Sequence, residues 1–319
     1  MKIYLPNSAF IGNINPFIKR IDFSNPDVLE LTAHEKWVAV HPVVLSLTAA
    51  LSLPIKPENV RCEKLTAISA HYLERMGLFE FIGIDSGMHI ERHESAGRFI
   101  PLTRIDNQDQ LSRFVTDMVP LLHLDPNRAA SIKYVVSELV LNVLEHADSP
   151  VGAIVSAQYY KKTNMIRLGI VDTGIGIRRS IEHSHRTVSD LDAIRLALTP
   201  GITGTTAREG GTEQNAGAGL FFIKSIASMN DNFFMLYSGN ALYKLLTRNT
   251  GLLHADPFDD PYSSDEGCPF FRGTAVGVDI SLDGNEEFSK FLSLVRDIYT
   301  TTVKERRKAR YKQRGPKFI

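Results

Sequence analysis

Three polar side chains, Glu138, Asn142 and His146, recur every fourth residue in a stretch whose apolar positions, Ile132, Val136, Leu139, Val140 and Val143, follow a helical period. That spacing sets an acid, an amide and an imidazole in a row on one helix face, while the aliphatics seat the helix on a core. A carboxylate so placed can orient or deprotonate a water or a hydroxyl, and an amide oxygen can ligate a hard cation. Taken alone, the row also fits an ordinary solvated face, although Asn is a poor helix former and asks for a reason. Further on, Asp172 shares strand parity with Ile166, Leu168 and Ile170, so its carboxylate enters apolar surroundings and needs a donor such as an exocyclic amine. Thr173-Gly174-Ile175-Gly176-Ile177 follows, with two glycines that permit a tight turn and close approach of a ligand to the backbone.

A second glycine-rich run, from Gly210-Gly211 through Gly217-Ala218-Gly219-Leu220, leads into a helical stretch from Phe221 to Met229. Amides left free at a helix start suit phosphate oxygens. The run does not spell G-x-x-x-x-G-K-[ST], and Gly217-x-Gly219 reaches Phe222 where a dinucleotide fingerprint would place a small residue. Arg272-Gly273-Thr274 then opens the last strand, which by itself reads as a strand-entry turn.

In this order the four segments resemble the Bergerat-fold ATPases, the superfamily of gyrase B, histidine kinases, MutL and the anti-sigma-factor serine kinases, over roughly Leu111 to Leu282. Ser137 to Ala147 looks like the N box, Asp172 to Gly176 the first glycine box, Gly217 to Leu220 the second, and Gly273-Thr274 the final Thr-bearing motif. The resemblance implies ATP and Mg²⁺ as cofactors. It makes Asn142 the Mg²⁺ ligand, Glu138 the catalytic group, and Asp172, supported by Thr274, the reader of the adenine amino group. Gly174, Gly176, Gly217, Gly219 and Leu220 complete the implied cofactor-binding set, with Gly217 and Gly219 shaping the phosphate loop; His146 is a candidate beside the phosphates or, equally, a capping or packing residue at the helix end. Arg178 to Ala216 would be a flexible ATP lid.

These residues need particular elements to hold them. Asp125-Pro126 starts a helix expected to run to about His146. Val151 to Tyr160 and Met165 to Asp172 form a hairpin across Lys161-Lys162-Thr163-Asn164, and Phe233 to Ser238 with Ala241 to Leu246 form another across Gly239-Asn240. In the last strand Val276, Val278, Ile280 and Leu282 face one way, and Ala275, Gly277, Asp279 and Ser281 the other. The expected fold is α+β, a two-layer α/β sandwich with a mostly antiparallel sheet, preceded by a smaller α/β domain.

That first domain is read as a strand at Trp37 to Val40, a helix from His41-Pro42 to Leu51, a break at Pro54-Ile55-Lys56-Pro57, a short strand at Asn59 to Cys62, and a helix from Leu65 to Met76 closed by Gly77. The succession resembles a STAS domain, the fold of anti-sigma-factor antagonists. In that family the first strand leads into Asp-Ser-Ser-Gly with a phosphorylated serine; here His41-Pro42-Val43-Val44 stands there, which implies a docking or regulatory module, with Ser46 the nearest serine. The expected organisation is a STAS-like domain at 1–105, the ATPase domain at 106–285, and a C-terminal helix with a basic tail at 286–319.

Lys plus Arg and Asp plus Glu both number 36 in the 319 residues, so the net charge of zero excludes a global polyanion binder. From Lys304 to Phe318, however, eight basic residues face only Glu305, a local charge of +7 that leaves −7 to the rest. The tail at 304–319 reads first as a solvated helix extension and, alternatively, as a site for nucleic acid or an acidic protein surface; it is carried on a helix whose stripe Phe288, Phe291, Leu292, Val295, Ile298 and Tyr299 is expected to pack on the ATPase domain. Cys62 and Cys268 match neither a disulfide framework nor a zinc spacing, and are expected to be free thiols in the cytoplasm. Trp37 to Ile55 carries no Asp, Glu, Lys or Arg but is interrupted by prolines, and no membrane span is expected.

Two functions fit the resemblance. One is Mg-dependent ATP hydrolysis or phosphoryl transfer to a Ser/Thr of a STAS-like or other regulatory partner. The other is an ATP-gated switch resembling MutL, acting on protein or DNA, toward which a lid of about 39 residues leans. A homodimer is expected, either constitutive or assembled in response to ATP. His34-Glu35 and His93-Glu94 lack the Leu-Arg-x-Pro continuation of a sensor kinase phosphoacceptor.

Overall fold

The computed structural model describes residues 1–63, 65, 70–85, 99–118, 126–204, 219–247, 253–282 and 288–313. The chain begins with β1 (Lys2–Leu5), α1 (Asn15–Lys19), β2 (Leu29–Ala33), α2 (Pro42–Ser52), β3 (Val60–Cys62), α3 (Ala70–Arg75) and α4 (Leu78–Phe81). β1, β2 and β3 pair in parallel in that order. Next come β4 (Phe99–Ile105), α5 (Gln108–Arg113) and α6 (Pro126–Asn142), which continues into a π-helical turn at Val143–Ala147. β5 (Ala153–Tyr160), β6 (Met165–Asp172), α7 (Gly176–Glu182), α8 (Asp190–Ala197) and α9 (Gly219–Met229) follow. The chain closes with β7 (Phe234–Gly239), β8 (Ala241–Leu245), β9 (Tyr262–Asp265), β10 (Phe271–Ser281) and α10 (Phe288–Gln313). Strands β4-β5-β6-β10-β7-β8-β9 make a seven-stranded sheet in which each neighbouring pair is antiparallel.

The fold is an α+β sandwich, and its two sheet faces are covered differently. On the inner face, Ile166, Leu168 and Ile170 of β6 and Val276, Val278 and Ile280 of β10 share a core with Ile132, Val136, Leu139 and Val140 of α6 and Phe221, Ile223 and Ile226 of α9. The strand parities read from the sequence set this face. α10 packs on α6 and α9, burying Val295 and Val303, and continues through the basic run as far as Gln313.

The outer face is covered by α2, whose residues are buried except for Leu51. Its lack of charge follows from lying between the small sheet and the large one. Gly169 makes the close approach workable, since a Cβ there would overlap the backbone of Val43. Ser46 Oγ lies 2.9 Å from Ser156 Oγ and donates to Gly169 O at 3.2 Å, so this serine is a buried interface group. His41 caps α2 by accepting from Val43 N–H at Nδ1, and its Nε2 meets Asp279 at 3.0 Å. Burial pushes the His41 pKa down, against the pull of Asp279, so the neutral ring donates from Nε2 to the carboxylate.

The N-terminal expectations need correcting. Trp37 to Val40 is not a strand: it runs beside Asn7 and Ala9 with one bridge, Ala9 to Val40, and Trp37 is exposed. Parallel β1 and β2, which the sequence reading did not identify, supply the small sheet with β3. Residues 99–105 pair with β5, so the expected boundary at 105 falls at the end of a strand already within the large sheet. Asp125, residues 66–69 and His93 lie outside the described residues. Both cysteines are free, and no described helix is long and apolar enough to cross a membrane.

Candidate functional site

A cleft of about 280 Å³ opens on the inner face, near the lower end of the roughly 300–1,000 Å³ usual for small-molecule sites. Glu138, Asn142 and His146 line it together with Asp172, Gly176, Gly219, Leu220 and Thr274, and Leu139, Val143, Ile170 and Val276 supply apolar wall. Residues from four distant segments of the chain thus meet in one place. Gly174 does not line the cleft, and Gly217 lies outside the described residues.

At one end sits Asp172, buried at the last position of β6 opposite Thr274 of β10. Gly174 N–H donates to Asp172 Oδ1 at 2.8 Å, and the Thr274 hydroxyl and N–H also donate to the carboxyl. Desolvation outweighs these bonds and pushes the Asp172 pKa up to about 7. Two glycines allow the crossing: a Cβ on Gly174 would overlap Ala147 O, and Gly273, at φ +139°, would drive one into Asp172 O. Ile175 N–H donates to Ala147 O at 2.7 Å, which ties the glycine turn to the end of the π-helical turn. Ser238 Oγ secures the next stretch by accepting from Ile177 N–H and donating to Gly273 O.

At the other end Glu138 and Asn142 meet the start of α9. A Cβ on Gly219 would stand 2.6 Å from Glu138 Oε2 and 3.4 Å from Asn142 Nδ2, so the helix start reaches the acid and the amide only as glycine. Burial, followed by repulsion from Glu145, raises the Glu138 pKa. Asn142 Nδ2 is buried with no hydrogen-bond partner, as is Thr173 Oγ1. Buried polar atoms left in this state cost stability unless a ligand or water completes them. His146 lines the cleft with Nε2 3.8 Å from Glu145 Oε2.

Several lining residues escaped the sequence reading. Tyr134 extends the row 138, 142, 146 one turn backward and was findable by that spacing. Ile177 closes the first glycine segment, and Ser180, Ile181, Ile202, Thr203 and Gly204 belong to the stretch read as a lid. The described part of that stretch, 178–204, is not one loop. α7 and α8 bury Ile181, Ala193 and Ile194, and α8 packs on β7 and β8. Residues 205–216 of the expected lid lie outside the described residues.

Residues 103–230 match the family model of the histidine kinase-like ATPase domain. The matched region spans every lining residue named here except Thr274 and Val276 of β10. No curated protein matches the chain. The ATPase-like domain implies ATP as ligand, typically with Mg²⁺, and the donor set fits. Among the described residues no group of three or more His, Cys, Asp or Glu gathers to hold a metal. An ion here would take one protein ligand, the Asn142 amide, with the remainder from phosphate and water, which is the usual Mg²⁺ arrangement.

Proposed function

We propose that the protein binds MgATP in this cleft and transfers the γ-phosphoryl group to a Ser/Thr hydroxyl of a separate regulatory protein, in the manner of anti-sigma-factor kinases. The supporting observation is the convergence of a half-buried Glu138, an unpartnered Asn142 amide and the Gly219 helix start at one end of a cleft whose other end holds buried Asp172. Asp172 accepts from the adenine amino group, with Thr274 and Gly174 fixing its carboxyl. Gly176 turns the chain at φ +77°, where a Cβ would crowd Ser238 Oγ, and Ile170 and Val276 flank the base. Asn142 gives its amide oxygen to Mg²⁺, and Gly219, Leu220 and His146 face the phosphates. Mg²⁺, when bound, offsets charge on the phosphate oxygens. Glu138 takes the proton of the attacking hydroxyl as its oxygen bonds to the γ-phosphorus and the bond to the ADP oxygen breaks. A pKa raised toward neutrality makes Glu138 a stronger base than a solvated glutamate.

The N-terminal unit would act as the docking or regulatory module in a cytoplasmic homodimer. The switch reading drew on a long lid, and the packing of α7 and α8 removes much of that length from the argument. Incubating purified protein and a STAS-like partner with γ-labelled ATP tests the proposal. Label on a partner hydroxyl supports it. Free phosphate alone, together with ATP-dependent dimer formation, would favour the switch.

A further inference from the structure

α10 lies outside the region that matches the ATPase-like family, yet it touches two helices that line the cleft and the segment that leads into its wall. Its first half packs on α6, which bears Glu138 and Asn142, and on α9, which begins at Gly219; the Tyr299 and Phe222 rings lie 6.3 Å apart. The third contact comes from the basic run. Arg306 Nη1 donates to Pro200 O at 3.1 Å.

Pro200 stands just past Leu198, the C-cap of α8, where chain carbonyls lack intrahelical donors and a cation is favoured by the helix dipole. Gly201, at φ +80°, then turns the chain, and Ile202, Thr203 and Gly204 enter the cleft wall. That wall is tied on one side to the turn after α7, where His185 Nε2 donates to Thr203 O at 3.1 Å and Ser184 Oγ to Gly204 O at 2.8 Å. Arg306 ties it on the other side. Its neighbours in the run, Lys304 and Lys308, are exposed.

We infer that Arg306 is a positioning residue for the nucleotide cleft: by holding Pro200 O it fixes the 199–204 wall against α10. This rests on the reading of the cleft as the MgATP site. The 319-residue chain should be titrated with MgATP by calorimetry as wild type, R306A, R306K, the double variant K304A/K308A, and D172N. R306A should bind about fivefold more weakly, given that a hydrogen bond from a charged donor is lost and part of its effect reaches the ligand. R306K, which can still donate to Pro200 O, should recover most of the affinity, and K304A/K308A should bind as wild type. Amide hydrogen exchange across 199–204 should quicken in ligand-free R306A while exchange in β6 and β10 stays unchanged. Wild-type affinity and exchange in R306A, beside a D172N that no longer binds, would overturn this inference alone. An equal loss in K304A/K308A would overturn it too, by assigning the effect to general charge. Undiminished binding in D172N would overturn the cleft reading, and this inference with it.

Discussion

The two faces of the seven-stranded sheet bury polar groups under opposite conditions. On the outer face His41 meets Asp279, Ser46 meets Ser156 and Gly169 O, and the Arg167 guanidinium lies between the Phe10 and Tyr160 rings at 4.4 and 4.2 Å. On the inner face Asp172 has donors but no countercharge, Asn142 Nδ2 has no partner, and Glu138 is held against its own desolvation. The outer face meets these groups mostly from within the protein, although Arg167 Nε and Gln158 Oε1 lack a hydrogen-bond partner there; the inner face differs in that its unmet Asn142 amide opens on a cleft. Neither burial, polarity nor a missing partner marks a site alone; what marks it here is an unpartnered amide and desolvated carboxyls lining one open cleft.

Substitutions should separate the faces. The largest effect is expected for Glu138→Gln, with ATP binding retained and phosphoryl transfer or hydrolysis lowered by about 10²–10⁴-fold in single-turnover assays, the range for a removed general base. Next, Asp172→Asn should abolish detectable nucleotide binding while making the ligand-free protein more stable at pH 8. The sign follows from the raised pKa. A carboxyl that titrates near 7 when folded and near 4 when unfolded contributes stability fully below about pH 4, and that contribution is lost as pH rises through 7. Three pKa units set an upper limit of about 4 kcal/mol on the effect. Thermal midpoints of wild type should fall between pH 5 and 8 relative to Asp172→Asn, and parallel profiles would break the assignment.

On the outer face the expected effects run the other way, against stability with no direct contact to nucleotide. Gly169→Val, whose side chain would overlap the α2 backbone, should cost about 3 kcal/mol, read as a lower urea midpoint. His41→Ala removes the α2 cap and leaves Asp279 without one of its partners, for about 2 kcal/mol. If either variant lowered MgATP affinity while remaining fully folded, the division between the faces would not hold.

Much of the inner face was legible because its chemistry is local in sequence. The 138-142-146 row, the parity of Asp172 and the glycines at 174, 176 and 219 each follow from a single period or a single backbone requirement. The outer face was not legible in the same way. Alternation along β10 correctly put Ala275, Gly277 and Asp279 opposite the core side chains, but period two states that a face exists and not what covers it. α2 was read as a buried helix while its cover, β6 and β10, lies more than a hundred residues downstream. Trp37 to Val40 looked like a strand because it is apolar, whereas pairing went to Lys2–Leu5 and Leu29–Ala33, whose patterns are more mixed.

The π-helical turn at Val143–Ala147 acts as a ruler. A π turn takes up more residues than an α turn, so the chain travels a set distance from Asn142 to the Ala147 carbonyl before handing over to Ile175. The Asn142 end and the Asp172 end of the cleft are thereby gauged against each other by the residue count of one turn. Removing a single residue there would return the helix to α pitch and swing Ala147 O off the Ile175 amide, misaligning the two ends of the cleft while leaving each intact.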